Sequence, residues 1–190
     1  MVAGSSPAGR ATFLPPHLPL KLGPDLKAGL LTDVTAPLPL ADQPPFAGNL
    51  RQIAEGEWTG WWKWNGTDPF EDATGPYYVR RDEQGIVCGF RPGPNNRNGH
   101  GMIHGGSLMT FADFSLFMIA GSGGTEMHGV TVTMNCEFVG PAQAGELLLA
   151  RGDLVRGGRS VVFARGTITT ESGVSVLAFS GTLKRFSERG

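Results

Sequence analysis

The residues of this chain best able to do chemistry lie in one run, Asn98-Gly-His-Gly-Met-Ile-His-Gly-Gly106, followed seven residues later by Asp113. Glycines at 105 and 106 let the backbone turn tightly and approach a ligand closely. A helix that starts at or just after them leaves its first amide N–H groups unpaired, at the positive end of the helix dipole. Such a terminus suits an oxygen that gains negative charge, for example the carbonyl of a thioester under attack. Asp113 is the only charge in Ser107–Ala120, which reads SLMTFADFSLFMIA. An ionised carboxylate within an apolar helix is costly unless it is paired or used. Two readings stand open for it. It is a structural group bonded to a hydroxyl such as Thr110 or to a backbone amide, or it is a general base or nucleophile.

Helical geometry constrains the second reading. Gly105 and Asp113 are eight residues apart, so one helix separates them by about 12 Å along its axis. Both groups must come within about 3 Å of the same carbon to act on it. One chain cannot do this, but two antiparallel copies of the helix across a two-fold axis can. A site built from these residues is expected to be shared between subunits.

The elements that must position these residues follow from periodicity. The apolar side chains of Ser107–Ala120 lie all round the helical wheel, and such a helix belongs in a core. Val130, Val132, Met134, Cys136 and Phe138 alternate with Thr131, Thr133, Asn135 and Glu137, the period of a half-buried strand with the first set inward. Leu147–Val155 and Ser160–Thr169 join through Gly157-Gly158, a hairpin signal, and Glu171-Ser-Gly173 turns into Val174–Phe186. These four strands are expected to form an antiparallel meander. Upstream, strands are expected at Pro76–Arg81 and Gly85–Phe90, before a loop at Arg91–Gly101, and a short helix at Phe46–Glu57. Four tryptophans crowd into Trp58–Trp64, as core, as subunit interface or as pocket lining. The predicted fold class is α+β, a curved antiparallel sheet wrapped around one long central helix. The helix face left uncovered would be closed by a second copy of the chain.

Nine of the fourteen prolines precede residue 46, so residues 1–45 read as a Pro-rich extension and 46–190 as the folded domain. A net charge of −1 gives no global basic surface for nucleic acid. The two cysteines, Cys88 and Cys136, lack CxxC spacing and lie in apolar runs, as small buried hydrophobes of a reducing compartment. His100 and His104 stand close together, but no third ligand lies at a fitting spacing, so no metal is expected. Nothing reads as a secretory leader or a membrane-spanning helix, and a cytoplasmic protein without a membrane partner is expected.

The segments NGHGMIHGGSLMTFAD and GVTVTMNCEFVGPAQAGELLLARGDLVRGGRSVVFARGTI resemble the hotdog-fold thioesterases of the phenylacetic-acid-pathway type, relatives of 4-hydroxybenzoyl-CoA thioesterase. The resemblance spans residues 84–186. It implies hydrolysis of an acyl-CoA to free acid and CoA, with coenzyme A as part of the substrate and no other cofactor. It gives Asp113 the part of general base or nucleophile, and the Gly105 amide that of polarising the thioester carbonyl. Asn98 matches the Asn that positions water or carbonyl, and His104 the histidine that holds the turn. Thr131 stands where some relatives have a serine that assists water. Gly106 in the turn and Arg159 on the hairpin are expected to bind substrate, the arginine through CoA phosphates. The assembly implied is a homodimer or a dimer of dimers. A non-catalytic acyl-CoA or lipid-binding module on the same fold is the alternative. A hotdog hydratase or dehydratase is another, but it would need a His paired with an acid at a different placement.

Overall fold

The computed structural model describes residues 43–124 and 126–186. Most of the expected extension therefore lies outside the described residues. Two short strands, β1 (Leu50–Gln52) and β2 (Trp62–Trp64), precede helix α1 (Pro69–Thr74) and strands β3 (Tyr77–Asp82) and β4 (Gly85–Phe90). Helix α2 (Gly105–Gly121) follows, and then β5 (Gly129–Phe138), β6 (Leu148–Gly157), β7 (Val161–Thr170) and β8 (Ser175–Arg185). All eight strands form one antiparallel sheet in the order β1-β2-β3-β4-β6-β7-β8-β5. Helix α2 touches the sheet from β3 through to β8. A sheet meeting one helix with six strands must curl around it, so the predicted hotdog architecture is the one observed.

The core lies between the helix and the concave face of the sheet. Phe111, Ala112, Leu116 and Ile119 are fully buried against Leu148, Val162, Ile168 and Leu183. Burying the Phe, Leu, Ile and Val side chains of this set stabilises by about 1.5–3 kcal/mol each relative to exposure. The helix comes so close to β8 that a Cβ at Gly181 would lie 2.4 Å from Leu116 Cδ1. Tyr77 fixes the helix at mid-length, with its ring 5.5 Å from Phe111 and 5.3 Å from Phe114. Phe46 closes the far end, since a Cβ at Gly121 would meet its ring at 2.9 Å.

Three expectations are corrected. Phe46–Glu57 is not a helix. Its middle is β1, paired in register with β2 as Leu50↔Trp64 and Gln52↔Trp62; sheet pairing overrides a weak helical pattern. The last four strands are not a simple meander. β6, β7 and β8 follow one another, but β5 crosses to the far side of β8 and forms an edge of the sheet.

The third correction concerns β5 itself. Strict alternation would send Val130 and Val132 inward, yet they are 46% and 57% exposed. A bulge explains this. Thr131 pairs with Leu183 and Thr133 with Thr182, so Val132 is an extra residue without an opposite number. An extra residue reverses the side chains on one side of it relative to the other. Thr131 therefore lies opposite buried Leu183, on the concave face, while beyond the bulge it is Met134 and Cys136 that lie opposite Gly181 and Phe179. Cys136 is accordingly half-buried and Cys88 fully buried, and neither is in a disulfide.

The tryptophans divide by role. Trp58 stacks on Tyr78 at 4.1 Å and meets Trp61 edge-on at 5.1 Å. Arg80 lies 4.5 Å over the Trp61 ring. A Cβ at Gly89 would fall 2.6 Å from Trp58 and 2.8 Å from Trp61, so both rings pack against β4 at the point where it has no side chain. Among the described residues, no helix is long and apolar enough to cross a membrane.

Candidate active site

The start of α2 is held by two residues. His104 is its N-cap, in extended conformation, and its Nδ1 accepts from the Gly106 amide at 2.8 Å. Its carbonyl accepts from the Ser107 and Leu108 amides. Of the four helix-starting amides, Gly105 alone has no acceptor among the described residues. The turn therefore offers one free donor, and the imidazole has taken the other candidate, Gly106. Buried Asn96 sets the position of this terminus. Its Nδ2 donates to the Thr74 carbonyl at 2.7 Å and to Ser107 Oγ at 3.0 Å, and its own carbonyl accepts from the His104 amide.

Along α2, the residues not fully buried past the first turn are Met109, Thr110, Asp113 and Phe117. Their spacing of three to four residues makes one stripe, the strip of helix that the sheet leaves open. Asp113 lies in that stripe. Its Oδ1 accepts from Thr131 Oγ1 at 2.6 Å, and the bulge in β5 is what turns that hydroxyl toward the helix. Thr110 instead donates to the Gly106 carbonyl, so it is not the partner of Asp113. Burial raises the Asp113 carboxyl above its usual range, the Thr131 hydrogen bond pulls it back, and the charge of Asp68 raises it again.

Asp113, Thr131, Asp68 and Glu71 line two adjoining cavities at once. One, of about 490 Å³, runs between Trp64, Phe114, Phe117, Met118 and Phe186. The other, of about 410 Å³, opens beside Met109, Thr110 and Met134. The four polar residues thus form a wall common to a chamber with several aromatic side chains in its lining and a more open one. Trp64 is fixed there by its Nε1, which donates to Glu126 Oε1 at 2.9 Å. Asp68 is the N-cap of α1, accepting from the Phe70 and Glu71 amides, with Pro69 following in the first turn.

Of the residues expected to work together, one chain brings Asp113 and Thr131 into contact and leaves the others apart. Gly105 lines neither cavity, in keeping with about 12 Å of intervening helix. The Asn98 side chain closes its own loop, with Oδ1 accepting from the His100 and Met102 amides at 2.8 and 3.2 Å. Arg159 sits exposed at the tip of the β6–β7 hairpin, away from both cavities. Glu71, Asp68 and Trp64 were not singled out individually by sequence. The Asp68-Pro69-x-Glu71 order, a helix start with its cap and first-turn proline, was the available signal.

A helix wrapped by a curved antiparallel sheet, with an acid on the stripe that the sheet leaves open, is the hotdog arrangement expected from the sequence. Residues 100–177 match the family model of the Thioesterase superfamily, in line with the resemblance drawn from the sequence. Among solved structures it is similar to the PaaI protein of the Escherichia coli phenylacetic acid degradation operon. The two are 24% identical over 64% of this chain and 86% of that one, with a TM-score of 0.56. A mutant of the phenylacetic acid degradation protein PaaI from Thermus thermophilus is 27% identical over 63% of this chain and all of that one, with a TM-score of 0.53. A hypothetical thioesterase from Streptococcus pneumoniae, solved with coenzyme A, is 22% identical over 60% and 91%, with a TM-score of 0.52. No curated protein matches the sequence.

Proposed function

We propose that this protein hydrolyses an acyl-CoA thioester to the free acid and CoA in a site shared by two subunits. The observation that carries the reading is Asp113. It is the one charged side chain on α2, held by Thr131 at 2.6 Å and set in the wall between two cavities. The first chamber suits the acyl group on the side lined by Phe114, Phe117, Met118 and Phe186. The open chamber then receives the CoA side, and the thioester carbon falls beside Asp113. The carboxylate takes a proton from water, or attacks directly, and the oxyanion forms against the Gly105 amide of a second copy.

Two features support assembly. β5 is ten residues long and paired only with β8, so its other edge presents unpaired backbone groups; a long free edge of this kind is a template for a second strand. The open stripe of α2 is the other, since a second copy would cover Met109 and bring its own helix start across. Cys88 and Cys136, both unpaired, fit a cytoplasmic setting.

Asp113→Asn tests the reading. It is expected to abolish thiol release from a panel of acyl-CoA substrates while the oligomer, followed by sedimentation, persists. Wild-type turnover by a folded Asp113→Asn protein would refute it. Stabilisation by acyl-CoA without thiol release from the unaltered protein would favour a binding module instead.

A further inference from the structure

Thioester cleavage needs two proton movements, one off the attacking water and one onto the departing sulfur. Asp113 accounts for the first. Glu71 stands where the second is needed. It lies on α1, whose start is set by the Asp68 cap and Pro69. It lines the same two cavities as Asp113 and Thr131, and its half-buried carboxyl has no hydrogen-bond or ion-pair partner among the described residues. A carboxyl without a partner in such a place is expected to face a ligand or to hold a proton.

We propose that Glu71 is the second catalytic residue of this site, donating its proton to the CoA thiolate as the C–S bond breaks. The inference rests on the acyl-CoA hydrolysis proposed above. The step begins with Asp113 ionised and Glu71 protonated. Water gives one proton to Asp113 and its oxygen bonds to the thioester carbon. As the tetrahedral intermediate collapses, the C–S electron pair goes to sulfur, and sulfur takes the Glu71 proton. The products are CoA thiol and a carboxylic acid, which releases its proton to solvent. The proton on Asp113 then passes to Glu71, which restores the starting state.

The surroundings favour that starting state. Glu71 faces Asp68 and Asp72 from its own element and Asp113 from α2, with Lys63 of β2 as the nearby cation. Lys63 already pairs with Asp72 at 3.3 Å. Glu126 and His128 are the other titratable residues lining the chamber that holds Trp64 and Phe117. Burial, and then the three carboxylates, push Glu71 up to about 7, against the weaker pull of Lys63. Two carboxyls facing one space share a proton more readily than they both ionise. An acid poised near neutrality is matched to protonating a leaving thiolate.

The test is a pH–rate profile of kcat/KM with two leaving groups, on wild type, Glu71→Gln and Asp113→Asn. With acyl-CoA, wild type is expected to lose activity as pH rises through about 7, where Glu71 gives up its proton. With the thiophenol ester of the same acid, whose thiolate leaves unaided, that falling limb should vanish. Glu71→Gln is expected to lose about 100-fold on acyl-CoA at neutral pH, to show no falling limb, and to lose far less on the thiophenol ester. Equal losses on both esters, or a falling limb that survives in Glu71→Gln, would overturn the assignment. If that variant does not fold, identical wild-type limbs for the two esters overturn it equally. An inactive Asp113→Asn beside a Glu71→Gln enzyme of wild-type behaviour would remove Glu71 alone; an active Asp113→Asn would remove the hydrolytic reading beneath it.

Discussion

At the start of α2 the His104 side chain has already claimed the Gly106 amide, and its carbonyl those of Ser107 and Leu108. The remaining donor, Gly105, can be deleted almost cleanly. Gly105 is the first helical residue, where proline is tolerated because its missing N–H has no helical partner. His104 before it has φ −65° and ψ 136°, a conformation that a following proline accepts. The nearest atoms to an added Cβ belong to the Phe138 ring, at 3.1 Å, and that ring can give way because it is about half exposed. Gly105→Pro is expected to lower kcat about 100-fold while the melting temperature stays close to wild type, with Gly105→Ala as the control that keeps the amide. A Gly105→Pro enzyme as fast as Gly105→Ala would show that this amide does not meet the oxyanion. The candidate pair Gly105 and Asp113 was legible because glycines before an apolar helix, and a charge inside it, are local anomalies. Glu71 was not, because nothing in Pro69–Thr74 is anomalous until the fold brings α1 beside α2.

Elements show where periodicity suffices and where it fails. Helix α2, β3, β4, β6, β7 and β8 lie within a few residues of their expected bounds, since each carries its own pattern and turn signals. Phe46–Glu57 misled because its partner, β2, lies across a turn and the pairing leaves no trace in either segment. The segment between β1 and β2 nonetheless has a clear structural duty, laying Trp58 and Trp61 on bare backbone at Gly89. Gly89→Ala puts a methyl 2.6 Å and 2.8 Å from two packed rings, with Trp61 also held beneath Arg80. It is expected to destabilise by about 1–3 kcal/mol, read as a lower midpoint in urea with an unchanged slope. A midpoint equal to wild type would mean that this segment is only loosely seated.

For the whole molecule, a site divided between subunits can be tested by exchanging them. Asp113→Asn and Gly105→Pro subunits are each expected to be nearly inactive alone. In a hybrid dimer, Asp113 of the second subunit faces the intact Gly105 amide of the first, and one of the two sites is whole. Co-refolded at equal amounts, the two variants should regain about a quarter of wild-type activity, the share set by random pairing of two kinds of subunit. No recovery in a verified hybrid would refute the shared site. The proposed need for a second copy rests on helical arithmetic, which keeps Gly105 and Asp113 of one chain about 12 Å apart. The strand order was not legible in the sequence, because alternation tells which face a residue takes and nothing about which neighbour a strand finds.

The extra residue in β5 carries a further implication. Up to Thr131 the odd-numbered side chains share the concave face, and from Met134 onward the even-numbered ones do. The strand is therefore written in two phases, and Val132 is the punctuation between them. Were the strand to alternate strictly through Val132, with Met134 and Cys136 kept in their places opposite β8, the residues before Thr133 would take the opposite faces. Valine would then face the carboxylate where a hydroxyl now stands. The role of Thr131 thus rests on the bulge as much as on its hydroxyl, since the bulge sets which face of β5 that hydroxyl takes.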